Sequence, residues 1–178
     1  KIIKKAIQYR SRGVVGIDLA GTETNTIELS DAVGKYATMF AEARDAGLGT
    51  TIHTGETSAT SGEGVIAVLK HIRPERIGHG VRAAYNQEAM ELLAESGTTL
   101  EICPTSNLHT RAVKSIDEFG FILNAFVDNG VKITINTDGT YLCNTNLQRE
   151  FKILREAEVI SDDHLEVARK HAFEASFI

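Results

Sequence analysis

The chain has 178 residues, of which 42% are hydrophobic and 24% charged, with a formal net charge of −5. Such a size and composition suit one globular domain and exclude a disordered or fibrous chain. With Lys and Arg scattered, no broad positive surface is left for nucleic acid or anionic lipid, so neither is expected as a partner.

The basic residues Lys1, Lys4, Lys5 and Arg10 are read as decorating the end of a helix. The first strand is expected over Val14 to Leu19 (VVGIDL), its apolar run implying burial on both faces as in a parallel sheet. It ends at Ala20-Gly21. Ser30 is expected to cap a helix running to about Ala46, with Gly47 as its left-handed stop. The same alternation continues with a strand Thr50 to Thr54, a helix from about Glu63 to Ile72 and a strand Arg76 to Gly80. A helix from about Gln87 is closed by Gly97, and Thr99 to Cys103 forms the next strand. Gly120 to Asn129 reads as a helix stopped by Gly130, before a fifth strand, Lys132 to Asn136. Thr145 with Gln148 reads as a capping box opening a helix over Leu147 to Ala157, and Ser161 opens a final one.

No apolar run approaches the length needed to cross a bilayer, and the first residues lack a signal-peptide pattern. The two cysteines, Cys103 and Cys143, have no CxxC spacing and fit a reducing compartment, so a cytoplasmic location is expected.

Five parallel strands with crossover helices fit either a doubly wound sheet or part of a (β/α)8 barrel. The polar residues favour the barrel. A doubly wound sheet gathers its ligand contacts at one switch point, whereas here successive strand ends carry His53, His79, the Cys103-Pro104-Thr105-Ser106-Asn107 loop and Asp138. Neither GxGxxG nor GxxxxGK[ST] is present.

In His53-Thr54-Gly55-Glu56, an imidazole at a strand end is followed three residues later by a carboxylate. The imidazole suits zinc, and the Glu suits proton transfer with a metal-bound water. Taken alone, the pair reads equally as a strand-end His bonded to backbone and a solvated Glu. His79 lies between Gly78 and Gly80, which allow close approach of backbone or ligand; it can bind metal or act on water. Asp138 follows an alternating strand and can bind zinc, although an Asp before Gly also caps turns. Three βα junctions delivering such groups to one rim favour a site over coincidence. His71, His164 and His171 lie in helical segments and are read as surface or core residues, and His109 sits on the rim without a motif.

At these residues the chain resembles the adenosine deaminase family of the amidohydrolase superfamily. The resemblance runs in order through Val14 to Glu23 (VVGIDLAGTE), His53 to Glu56 (HTGE), Arg76 to Gly80 (RIGHG), Cys103 to Asn107 (CPTSN) and Asn136 to Asp138 (NTD). It implies a TIM-type (β/α)8 barrel, zinc as cofactor and a purine nucleoside as substrate. It also makes His53 and Asp138 zinc ligands, and Glu56 the acid that protonates the purine ring nitrogen. His79 is implied to orient and help deprotonate the attacking water, and Gly21 to offer its backbone to the purine. The implied reaction is hydrolytic deamination with release of ammonia.

Two departures shape the expectation. Members of the family carry a His-x-His pair on the first barrel strand, and this chain has none, so residues 1–178 are expected to be the C-terminal part of the barrel, strands 4 to 8. Gly139 stands where members place another acid that contacts the purine, which puts adenosine itself in question and opens the way to a related amino-purine. Hydrolysis of a different bond is an alternative within the superfamily. A further alternative is a non-catalytic half barrel that self-associates, or pairs with a complementary half, through sheet edges at its first and fifth strands. A Schiff-base aldolase is disfavoured, because no lysine falls at the C-terminal end of any expected strand.

Overall fold

The computed structural model describes residues 2–23 and 33–178, so the expected cap Ser30 lies outside the described residues. Helix α1 (Ile2–Gln8) and a 3-10 turn (Arg10–Arg12) lead into β1 (Gly16–Leu19). There follow α2 (Val33–Asp45), β2 (Gly49–Thr54), α3 (Ser61–His71), β3 (Arg76–His79), a 3-10 turn (Val81–Tyr85) and α4 (Gln87–Ser96). The chain continues through β4 (Thr99–Ile102), α5 (Pro104–His109), α6 (Ile116–Asp128), β5 (Ile133–Ile135), α7 (Leu147–Glu156) and α8 (Asp162–Glu174).

The five strands are parallel and pair in chain order, β1-β2-β3-β4-β5. A doubly wound sheet reverses its order once; this sheet never does, as in an arc of a barrel wall. Register aligns Ile52 with Ile77, Ile77 with Leu100 and Leu100 with Ile133, so one face is an apolar row. These residues are buried with Phe40, Leu69, Leu93, Phe119 and Phe126 of the covering helices in one continuous core. Alternation sends Asp18, Thr51, His53, Arg76 and Glu101 to the opposite face.

That polar face corrects the expectation for the first strand. β1 begins at Gly16, and Asp18 is exposed on the second face instead of that face being buried. The helix expected from Gly120 starts at Ile116, because Ser115 caps it by accepting the Glu118 N–H. The cap of α7 is Asn146, whose side chain accepts from Arg149 N–H, and not Thr145. Thr145 is drawn inward instead, its hydroxyl bonded to Glu150. The CPTSN segment, expected as a loop, is the short helix α5.

Each side of the sheet is finished differently. On β5, Ile133 points its carbonyl away from β4 by alternation, and His171 of α8 meets it through Nδ1 at 3.2 Å. Beyond α8 the chain runs under the sheet, where Phe177 lies over Gly16 and Gly49 so closely that an added Cβ at either would collide with the ring. The Arg76 guanidinium stacks on Phe177 at 3.7 Å and donates to the Ala175 carbonyl at 3.0 Å. Among the described residues no helix is long and apolar enough to cross a membrane.

Candidate active site

The C-terminal ends of the strands open into a cleft of about 360 Å³ whose lining includes Asp18, His53, His79, Cys103, Asn136 and Asp138. Its floor is ionic. Glu101 takes Arg76 Nε at 3.2 Å and the Thr51 hydroxyl at 2.9 Å. These contacts hold three neighbouring strands in register beneath the rim.

His53 is the penultimate residue of β2, and its Nδ1 meets Asp18 Oδ1 across to β1 at 3.1 Å. This bond holds the imidazole above its ordinary pKa, overcoming the opposing effect of burial, and the other ring nitrogen is left for a ligand. An added Cβ at Gly78 would lie 2.8 Å from His53 Cγ, so the glycine makes room for the ring.

His79 is buried at the end of β3. Alternation alone would send it to the helix side with Ile77. Its φ of 62° breaks the alternation, and the ring arrives 5.3 Å from that of His53, edge to face. Asp138 also has positive φ, 54°. Left-handed backbone at a non-glycine residue carries strain, and two such residues meet at this cleft.

Glu56 projects from the turn after β2, with Oε2 3.7 Å from His79 Nε2. Helix α5 ties the cluster together from above. Asn107 Nδ2 lies 3.0 Å from His79 Nδ1 and donates to Glu56 Oε1 at 3.3 Å, while the Thr110 hydroxyl donates to the same oxygen at 3.1 Å. Ser106 donates to Asp138 Oδ2 at 2.6 Å. His53, Glu56, His79 and Asp138 are therefore brought to one place. Gly21 does not join them: it is exposed on the turn after β1 with φ 124° and does not line this cleft.

Sequence reasoning passed over several residues of the site. Asp18 had a signal, a lone charge inside an otherwise apolar parallel strand. Glu23 had none beyond its place in VVGIDLAGTE, yet it is buried and accepts from the backbone N–H of Glu56 (2.6 Å) and Thr57 (3.1 Å). It also accepts from the hydroxyls of Thr57 (2.8 Å) and Thr60 (2.6 Å), gripping the turn that carries Glu56. Cys103 lines the cleft with its thiol pushed well above the ordinary range, by burial first and then by Asp138 and Glu101.

Across residues 1–178 the chain matches the family model described as adenosine deaminase. The chain belongs to the adenosine deaminase family. It is 36% identical over 177 residues to an adenosine deaminase of Clostridium botulinum, covering 99% of this chain and 50% of that protein. It is 37% identical over 174 residues to an adenine deaminase of Sinorhizobium medicae, covering 97% and 51%. Among solved structures, the N6-methyl-AMP deaminase of Arabidopsis thaliana superposes with a TM-score of 0.76 at 28% identity, covering 99% and 49%. The chain thus spans about half the length of the relatives it matches, and its five-stranded sheet is an incomplete barrel of the family type.

As a metal centre the described residues are not self-sufficient. Among them no three His, Cys, Asp or Glu side chains converge to hold an ion. His53 and Asp138 offer two donors of kinds that zinc accepts, short of the three protein ligands usual in a catalytic site.

Proposed function

We propose that this chain forms part of a zinc-dependent hydrolase that deaminates adenosine or a related amino-purine nucleoside, releasing ammonia. The observation that carries this reading is the Glu56-His79 pair, at 3.7 Å and bridged by Asn107, beside the cleft that His53, His79 and Asp138 line. Family relatives acting on adenosine, adenine and N6-methyl-AMP share one chemistry, loss of an amine from a purine amidine.

Zinc, when bound, lowers the pKa of water and makes it a nucleophile at neutral pH. His53 and Asp138 are this chain's share of the donors among the described residues, and the remaining ligands come from beyond them. From its place against His79 beside the cleft, Glu56 delivers a proton to the ring nitrogen next to the amino-bearing carbon, making that carbon electrophilic. His79 orients the attacking water and helps to take up its proton. That proton is passed on to the amino group, so that collapse of the tetrahedral carbon expels ammonia and leaves a ring carbonyl. Asn107 and Thr110 hold the Glu56 carboxyl in place during both transfers, and Gly21, outside the cleft lining, is left to offer its backbone only to a part of the purine that reaches past the rim.

Substrate choice within the amino-purines turns on Gly139. The three atoms nearest an added Cβ there belong to Leu142, at 3.5 to 3.8 Å, ordinary contact distances, so a side chain is tolerated where glycine offers the substrate no charge. The test is metal analysis together with ammonia release from a panel of adenine, adenosine and N6-substituted adenine nucleotides. Bound zinc with turnover of at least one member is expected. No divalent metal and no ammonia from any of them in the full-length protein would overturn the proposal.

A further inference from the structure

We infer that Glu150 is a positioning residue for this site, holding the polar bridge α5 in place from outside the cleft. The inference rests on the deaminase reading of the cleft for its catalytic meaning, but not for its geometry.

Glu150 lies in the first turn of α7 and is 0% exposed. A carboxylate without water persists only when donors surround it. One oxygen accepts the Thr105 N–H at 2.9 Å, and the other accepts the Thr145 hydroxyl. Thr105 follows Pro104, which opens α5 and has no N–H of its own, so the Thr105 N–H is the first donor the helix presents. Cys103, at the cap position, makes no side-chain capping bond. Glu150 therefore does from another helix what a capping residue does locally, and its charge faces the positive end of α5.

Six residues of helix have no stability in isolation. Yet α5 and the residue after it contact three of the four groups assembled in the cleft: Ser106 reaches Asp138, Asn107 reaches His79 and Glu56, and Thr110 reaches Glu56. Slippage of α5 would loosen all of these contacts together. What matters for Glu150 is reach more than charge. Glutamine has the same length, its carbonyl able to accept from Thr105 and its amide to donate to the Thr145 hydroxyl. Aspartate keeps the charge but falls short by one carbon–carbon bond, about 1.5 Å.

The experiment compares E150Q and E150D in the whole chain by hydrogen–deuterium exchange of residues 103–112, with α4 as the folding reference. E150Q is expected to protect residues 103–112 to within about threefold of the unsubstituted chain. In E150D the same segment should exchange at least roughly tenfold faster while α4 is unchanged, as the loss of a hydrogen bond to a buried charge implies. In the full-length protein, E150D should lower kcat more than it changes KM, and E150Q should restore kcat. Any pattern in which Gln fails to protect α5, or Asp protects it, overturns the inference. Should Asp unfold the chain altogether, E150Q decides alone, retained protection upholding the role and lost protection refuting it. Exchange is read without turnover, so absence of deaminase activity would count against the reading of the cleft and leave the exchange result standing.

Discussion

Replacing Glu23 by glutamine tests whether the turn carrying Glu56 is held by that buried carboxylate. Oε1 accepts from the Glu56 N–H, and Oε2 serves the Thr57 N–H and the hydroxyls of Thr57 and Thr60. Hydroxyls can rotate and accept from an amide NH2, but backbone N–H groups cannot. Whichever way the Gln amide is turned, one backbone donor, of Glu56 or of Thr57, faces another donor. A buried N–H left without an acceptor costs about 1–3 kcal/mol. With urea m-values of about 1–3 kcal/mol/M for small proteins, the unfolding midpoint should fall by roughly 1 M. Equilibrium urea denaturation followed by circular dichroism measures this, and exchange of the Glu56 and Thr57 amides locates it. On the deaminase proposal, kcat should fall further than KM rises, because Glu56 is displaced while the cleft persists. A midpoint unchanged within error, with both amides still protected, would refute the clamp.

Gly55 has φ 66°, and an added Cβ would lie 2.6 Å from Val65 Cγ2, so G55A combines left-handed strain with overpacking. It should destabilise by about 2–4 kcal/mol, and V65A should recover part of that in a double-mutant cycle; additive effects would contradict the contact. Likewise G49A should be strongly destabilising with Phe177 present and much less so in an F177A background, as read from thermal midpoints. A third test concerns pH. The Tyr85 hydroxyl, bonded to Glu118 at 2.6 Å, holds that carboxyl below its ordinary 4.5, while burial and the same bond push the Tyr85 phenol up to about 12. The Glu118 contribution is present above about pH 4.5 and is lost as pH falls through the depressed value; the Tyr85 contribution is present below 10 and is lost toward 12. Y85F should flatten both limbs of stability against pH by less than about 1 kcal/mol, given the exposure of the pair, and unchanged limbs would refute the linkage.

Much of this architecture can be read from residues alone. β2 to β5 announce themselves as short β-branched runs, and Gly97 marks the end of α4 in a left-handed conformation. The chemistry-bearing strand ends His53, Glu56, His79 and Asp138 do converge. What escapes the sequence is decided at a distance. Pro-Thr-Ser-Asn reads locally as loop, and becomes helical where Glu150, forty-five residues on, accepts its leading N–H. Glu23 carries no local signal of its role, because its partners lie more than thirty positions away. The direction of His79 contradicts strand alternation, since a single positive φ outweighs the pleat. Thr145 fits a capping pattern, but Asn146 wins because burying the Thr145 hydroxyl against Glu150 satisfies a charge.

The layer beneath the sheet, where Phe177 covers Gly16 and Gly49 and Arg76 stacks on it, joins β1 to the segment that follows α8. Chains are synthesised from the N-terminal end at roughly 5–20 residues per second, and each βα unit can dock on its predecessor as it leaves the ribosome. This layer has to wait. From the appearance of Gly16 to that of Phe177, on the order of ten seconds pass during which the nascent sheet has an unfilled underside. The Phe177 ring thus acts as a latch on a process otherwise completed one unit at a time, and a chain cut before it would leave a sheet already built but not yet closed.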